Sequence, residues 1–259
     1  MDKYKNYQRI IINSDDRDYG TSTAFRINLN YPITRVTSVQ LVSAIIPNSI
    51  YIFSPDRNNN IITLLETGHS AVNITIPSGS YDVTYFDTFL AGVLSSASPS
   101  GSTYTITYDQ YHRKLTFSTN GPAFQFLFGT GNKNNPYQEL GFVYDTDTTL
   151  GTTITAPNCL NLSGVPYVII NIVNLQNNIV NTRNISGNFK VNMSSEFGYV
   201  TYYTPQTLLE NFHYIPNQTI TYFDVRLIDD NGNPVNLNGT EWSFTLTYTQ
   251  EDNSITGDY

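Results

Sequence analysis

The chain has 259 residues and a formal net charge of −8, with 13% charged residues, 14% aromatic residues and a single cysteine. A charge-poor, acidic surface argues against a dedicated nucleic-acid binder, which needs a basic stripe. The lone Cys159 rules out an intrachain disulfide framework. Asn and Thr number about 30 each and Tyr 20. Thr and Tyr suit pleated, half-buried surfaces and Asn suits turns, while the helix formers Ala, Glu and Lys are scarce, so the composition predicts an all-β fold rich in turns. No signal peptide is expected, because Ile10–Ile12 is the longest apolar run near the start. No membrane span is expected either, since no stretch approaches 18 apolar residues. The six Asn-x-Ser/Thr sequons, at Asn73, Asn161, Asn184, Asn192, Asn217 and Asn238, are read as accidents of an Asn- and Thr-rich chain.

In chain order, residues 6–13 read as a first edge strand or an extended arm. Residues 1 to about 18 are polar apart from Ile10–Ile12, and are expected to be dispensable for folding. Phe25, Ile27 and Leu29 alternate with polar residues as in a half-buried strand. Val36–Ile46 is long and apolar, a central strand ending at Pro47-Asn48, and Tyr51–Asn60 is a turn region. The texture then changes. Ile61–Leu65 and Val72–Ile76 are short strands. Phe86, Phe89, Leu90, Val93, Leu94 and Ala97 share one face of an amphipathic helix, with Thr84 as cap and Asp87 three residues on. A hairpin follows over Tyr104–Phe117, then a short strand at Phe124–Phe128. A helical turn runs from Asn135-Pro136 to Gly141, and a Thr-rich connector covers Thr146–Thr155.

Long apolar strands resume at Val165–Asn174. An Asn-rich loop (176–188), an alternating strand at Phe189–Met193, a short aromatic strand at Gly198–Tyr203 and a short helix capped by Thr204 with Pro205 at its first position come next. The closing strands are the most regular part of the chain. Ile220–Ile228 places Phe223, Val225 and Leu227 on one face. In Trp242–Thr249, Trp242, Phe244, Leu246 and Tyr248 alternate with Ser and Thr, which predicts one buried and one wet face. Asn231-Gly232 and Asn238-Gly239 supply residues that tolerate positive φ where the chain reverses. About eight strands lie outside residues 60–158, the number a jelly roll needs. The expected architecture is an all-β jelly-roll β-sandwich carrying a mixed α/β insertion. Its first part spans residues 1–59 with an N-terminal arm, the insertion 60–158, and its second part 159–259.

No residues assemble into chemistry. Cys159 lacks nucleophilic partners and reads as a half-buried structural thiol. His69, His112 and His213 have no second ligand at zinc spacing, and no phosphate loop, nucleophile elbow or paired-His motif occurs. Asp229, Asp230, Asn231 and Asn233 resemble part of a calcium loop, but position 240 is Thr where the ligating glutamate would stand, so a polar hairpin turn is the better reading. No catalytic, cofactor-binding or metal residue is therefore nominated. Tyr199, Tyr202, Tyr203 and Tyr214 are dense enough to serve a glycan or a neighbouring subunit, with ordinary strand packing the plain alternative.

The segments Phe25-Arg-Ile-Asn-Leu29, Val36–Asn48, Tyr81–Phe142, Phe223–Gly232 and Leu237–Leu246 together resemble the small capsid proteins of virophages, polinton-like elements and giant DNA viruses. The resemblance covers most of the chain, on soft motifs made largely of strand and turn residues. It implies a penton or other minor capsid protein with a single jelly roll, present as a homopentamer at icosahedral vertices. It also implies contact with the major capsid protein and other shell proteins, and location in a virion assembled in the host cytoplasm or nucleus. It implies no cofactor, no direct nucleic-acid contact and no catalytic residues. A virion-surface carbohydrate-binding or attachment module is the alternative. An enzyme on a β-sandwich, such as a glycosidase with two separated carboxylates, is a third class for which no acid pair can be named.

Overall fold

The structure, a computed structural model, describes residues 6–177, 179–207 and 209–251. The chain divides into two compact units, residues 1–50 with 165–259, and residues 51–164. The first unit opens with strands β1 (Asn6–Asn13), β2 (Tyr19–Thr21) and the long β3 (Ala24–Pro47). The second unit holds β4 (Ile61–Glu66), β5 (Val72–Thr75), helix α1 (Val83–Ala97), β6 (Tyr104–Asp109), β7 (Lys114–Thr119), β8 (Phe124–Phe126) and β9 (Thr153–Thr155). The chain then returns to the first unit with β10 (Tyr167–Ile172), β11 (Ile179–Val180), β12 (Ser186–Gly187), β13 (Phe189–Asn192), β14 (Val200–Tyr203), β15 (Phe212–Ile228) and β16 (Ser243–Gln250).

The first unit is built on one antiparallel sheet in the order β1-β16-β3-β15-β10-β13, with β2 and β14 also paired to β3. The segments read from periodicity as two strands, around Phe25 and Val36, are one strand. β3 runs unbroken through both, and Arg35 in its middle takes a left-handed φ of 55°. Its partner β15 shifts register three times over the same stretch, between Tyr214 and Tyr222. Paired bends of this kind let two long strands pass from one layer of a sandwich into the other. The sheet curls accordingly, and residues from strands at both its ends meet in one core. Ile12, Phe25, Leu41, Ile46, Val168, Ile170, Phe189, Val191, Phe223, Val225, Phe244 and Leu246 are all buried there. The fold is an all-β jelly roll with a mixed α/β insertion.

The two closing strands do not pair with each other. β3 lies between them, with β15 and β16 each antiparallel to it. The turn after β15 is nevertheless tight. Val235 N donates to Leu227 O at 3.0 Å, and Gly232, Asn238 and Gly239 adopt positive φ. Residues 6–13 form the edge strand, the first of the two alternatives, and not an extended arm. They pair residue for residue with β16, from Asn6 opposite Gln250 to Asn13 opposite Ser243. Ile12 enters the core and Ser14 is fully buried. The Ser14 hydroxyl accepts from Trp242 N at 2.9 Å, and Arg17 pairs with Glu241 at 2.9 Å. Alternation in β1 is diluted by three consecutive isoleucines, of which only Ile12 points fully inward. Lys3 and Lys5 of the expected arm lie outside the described residues. One expectation changes here: the described residues after Thr204 form bends and turns rather than a short helix, and Leu208 of the expected helix lies outside the described residues. Glu210 closes the segment with its own carboxylate, accepting from Gln206 N at 2.7 Å and from the Tyr203 hydroxyl at 3.0 Å.

The second unit contains two three-stranded antiparallel sheets, β5-β4-β8 and β6-β7-β9, and helix α1. Phe86, Leu90 and Leu94 of α1 are buried with Ile62, Leu64, Ile106, Leu115 and Phe117. Rings add a chain of contacts through Phe117, Phe124, Phe126, Phe128 and Phe142, with centroids 4.9–5.8 Å apart. Each such side chain contributes roughly 1.5–3 kcal/mol by leaving water. The helix cap differs from the sequence reading: Asp82, not Thr84, is the N-cap, and its side chain accepts from Thr84 N at 2.7 Å. Asp87 turns instead to the backbone of Thr88. Pro136–Gly141 makes the expected single turn, with Leu140 N donating to Pro136 O at 2.9 Å and Gly141 at φ 80°. Position 141 needs glycine doubly, because a Cβ there would stand 2.4 Å from Asn158 O. The Thr-rich connector holds a strand that composition did not reveal, β9, paired with β7 through Ile154 opposite Phe117.

Candidate functional site

The polar side chains singled out from the sequence serve local structure. The Asp229 carboxylate is buried and accepts from Asn231 N at 2.9 Å and Asn233 N at 2.8 Å, with Asn233 Nδ2 at 3.2 Å. It therefore closes the turn after β15 as the hairpin-turn reading expects, and its oxygens are occupied by turn donors. His112 is exposed and pairs with Asp109 at 2.6 Å, holding the turn between β6 and β7. That pairing, with hydrogen bonds from the backbone of His112 and Tyr111, holds the Asp109 carboxyl below the usual range. His213 lies half-buried on β15, donating from Nε2 to Asn188 O at 2.5 Å and lying against Phe189. Burial pushes its pKa down, against the pull of that carbonyl. Cys159 is exposed rather than half-buried, and its thiol reaches His112 O at 3.4 Å. Among the described residues, no group of three or more His, Cys, Asp or Glu lies close enough to hold a metal ion.

Two buried carboxylates carried no signal in the sequence. Glu66, at the end of β4, is 1% exposed. It accepts from the Ser98 hydroxyl at 2.6 Å, the Tyr104 hydroxyl at 2.8 Å and Ser100 N at 2.8 Å. Burial opposes its charge, and these hydrogen bonds together outweigh burial and hold its pKa below the usual carboxylate range. Glu139 shows the reverse balance. Burial pushes its pKa up, and a hydrogen bond from Asn59 at 2.6 Å and Arg57 at 3.8 Å offset that only in part. No spacing rule links Glu66 to residues 98–104 or Glu139 to residues 57–59. The topology of the insertion brings them together.

The surface that stands out is the outer face of the jelly-roll sheet. β1, β16, β3 and β14 lie side by side, and one cross-strand row runs Asn13, Ser243, Ile45, Tyr202. The neighbours Ala44, Ile46 and Phe244 point inward, so the pleat turns this row out. Ile45 is 44% exposed, Tyr202 73% and Ile11, one pleat further along β1, 67%. Phe197, Tyr199 and Val200, leading into β14, are also exposed. Of the four tyrosines singled out in the sequence, Tyr199, Tyr202 and Tyr214 lie on the surface. Tyr203 packs against the core and bonds Glu210 and Asn211 through its hydroxyl. Burial and the bond to Glu210 push its pKa up to about 12. Large apolar and aromatic groups kept on one face of a sheet mark a contact surface more often than a solvated one.

Among the described residues, no helix is long and apolar enough to cross a membrane. No protein-family model matches the chain. No curated protein matches it in sequence. Among solved structures, the fold is similar to that of the mavirus penton protein, known from a crystal structure of its selenomethionine-labelled form. The TM-score is 0.51 at 11% sequence identity, over 94% of this chain and 99% of that one.

Proposed function

We propose that this protein is a structural subunit of a virion, a penton or other minor capsid protein of an icosahedral DNA virus or virophage. The observation that carries the reading is a fold likeness extending over nearly the whole of both chains, so that insertion as well as jelly roll is included. The exposed aromatic face around Tyr202 and Ile45 supports it, since a shell subunit must present contact surface to its neighbours. In this reading five copies meet around a closed axis through heterologous contacts. The remaining partners are the major capsid protein and other shell proteins, and the location is the virion, assembled in the host cytoplasm or nucleus. The acidic balance of the chain, a net charge of −8, argues against nucleic acid as a direct partner.

Native mass spectrometry and negative-stain microscopy of the purified protein across a salt series test this. The expected result is a pentamer, or five-fold density when the protein is added to shells lacking vertices. Because the chain is poor in charge and rich in exposed tyrosine, its association should change little between low and high salt. A stable trimer or dimer, or a copy placed away from every vertex in a virion map, would remove the penton assignment.

A further inference from the structure

The second unit contains a cleft of about 390 Å³, lined by residues 142, 143, 146–150, 153–155 and 157. Its size falls within the range of small-molecule sites, roughly 300–1,000 Å³. Phe142 and Ile154 form an apolar floor, 5% and 8% exposed, and Val143 and Leu150 form an apolar rim, 48% and 50% exposed. Between them the chain presents threonine hydroxyls. Thr146 and Thr155 spend theirs internally, on Tyr144 O at 2.9 Å and on the Thr116 hydroxyl at 2.9 Å. Those of Thr149 and Thr153 make no hydrogen bond to another described residue.

The walls are held in place before any ligand arrives. Asp147, the one acid in the lining, accepts from Gly129 N at 2.7 Å and Thr130 N at 3.0 Å through one oxygen and from the Thr130 hydroxyl at 2.7 Å through the other. Thr148 is locked to β8 from both sides, its N donating to Phe126 O at 2.9 Å and its hydroxyl accepting from Phe126 N at 2.9 Å. Gly151 pairs with Phe124 in both directions, at 2.9 and 3.1 Å. A connector pinned at three points within five residues, 147, 148 and 151, loses little conformational freedom on binding.

The chemistry of the lining selects the occupant. No Lys, Arg or His lines the cleft, so an anionic ligand would find no counter-charge. Asp147 already accepts three hydrogen bonds and is the one acid in the lining, so a cation would find a single remaining lone-pair site and no second carboxylate. Hydroxyls beside an exposed apolar rim match a ligand with hydrogen-bonding edges and an apolar C–H face. We propose that this cleft binds a neutral saccharide, one or two sugar units of an uncharged glycan, with a ring face on the exposed side chains of Val143 and Leu150 and ring hydroxyls on Thr149 and Thr153. This is a recognition role additional to the shell role and independent of it. A shell subunit with a non-binding cleft and a saccharide binder outside any shell would each be recognised by its own experiment.

Saturation-transfer NMR of the full chain tests it, using neutral hexose and N-acetylhexosamine mono- and disaccharides and their sialylated and sulfated counterparts. Transfer to the neutral sugars is expected, with little to the anionic ones. The double variant Thr149→Val with Thr153→Val preserves shape and strand propensity. It should bind about tenfold more weakly, the loss expected of two neutral hydrogen bonds. Leu150→Ser, at an exposed position, should also weaken binding by removing part of the apolar rim. Tyr202→Ser, on the jelly roll, should leave it unchanged. Thermal unfolding midpoints close to the parent's confirm that the variants fold. No transfer to any neutral sugar at millimolar concentration would overturn the proposal. So would a preference for the charged sugars, or undiminished binding in both cleft variants.

Discussion

At the scale of the residue, the strongest local commitments are buried aromatic rings and buried carboxylates, and they respond to different variables. Phe244 is 1% exposed, stacks on Trp242 at 5.1 Å and sits in the jelly-roll core. Phe244→Ala should lower the unfolding free energy by about 3–5 kcal/mol in denaturant titration, and a loss under about 1 kcal/mol would place the ring outside the core. Glu66 behaves differently. Its lowered pKa means the folded state binds its proton less readily than the unfolded chain does. Its contribution is therefore complete above the ordinary value of 4.5 and is lost as the pH falls through the lower folded value. Glu66→Gln keeps the shape but leaves one acceptor oxygen in place of the two that receive the three donors Ser98, Ser100 and Tyr104. Near neutral pH it should cost about 1–3 kcal/mol. The gap between variant and parent should narrow below about pH 4.5, which unfolding curves at pH 7 and pH 3 will read directly.

At the scale of the element, the ends of strands and helices decide more than their interiors. Helix α1 has an apolar face that is unambiguous in sequence, but two polar residues compete to cap it. Asp82 is one residue before the helix and reaches Thr84 N, whereas Thr84 is already inside it. Asp82→Ala should therefore destabilise the insertion by about 0.5–2 kcal/mol, with Thr84→Ala costing clearly less. Equal losses in thermal unfolding would restore Thr84 as the cap. β1 teaches the same lesson for strands. Its inward residue Ile12 and the bonds of Ser14 and Arg17 to residues 241 and 242 tie the chain start to its end. A variant beginning at residue 18 should lose cooperative unfolding, because β16 would be left with a bare edge of eight residues.

At the scale of the whole molecule, the chain folds as a jelly roll interrupted once, after Ile50 and before Val165. Each unit has its own hydrophobic cluster. We propose that the insertion is separable. Replacing residues 51–164 with a short Gly/Ser linker should leave a cooperatively unfolding β-protein, because closing a flexible loop costs little more as its length changes. A molten or aggregated product, lacking near-UV circular dichroism, would show that the jelly roll needs the insertion. The same variant should lose the saccharide signal while keeping any five-fold assembly, which separates the two proposed roles in one molecule.

Strand content, the amphipathic face of α1 and the inward set Trp242, Phe244 and Leu246 were determined by the sequence alone, because each rests on a short-range period that any neighbour would have to respect. The insertion was legible for a related reason: short strands around a helix differ in texture from long apolar strands. Partner choice was not legible. That β3 separates the two closing strands, that it is one strand bent at Arg35 rather than two, and that β9 pairs with β7 follow from hydrogen bonds between residues far apart in the chain, which no local period encodes. The same holds for the sites. Tyrosines could be counted in sequence, but which of them lie outward on the sheet depends on the register of β14 against β3. The Glu66 network exists only because the folded insertion brings separate segments within hydrogen-bonding distance, and the threonine-lined cleft, though built from one stretch of chain, is held in shape by bonds to residues 124–130.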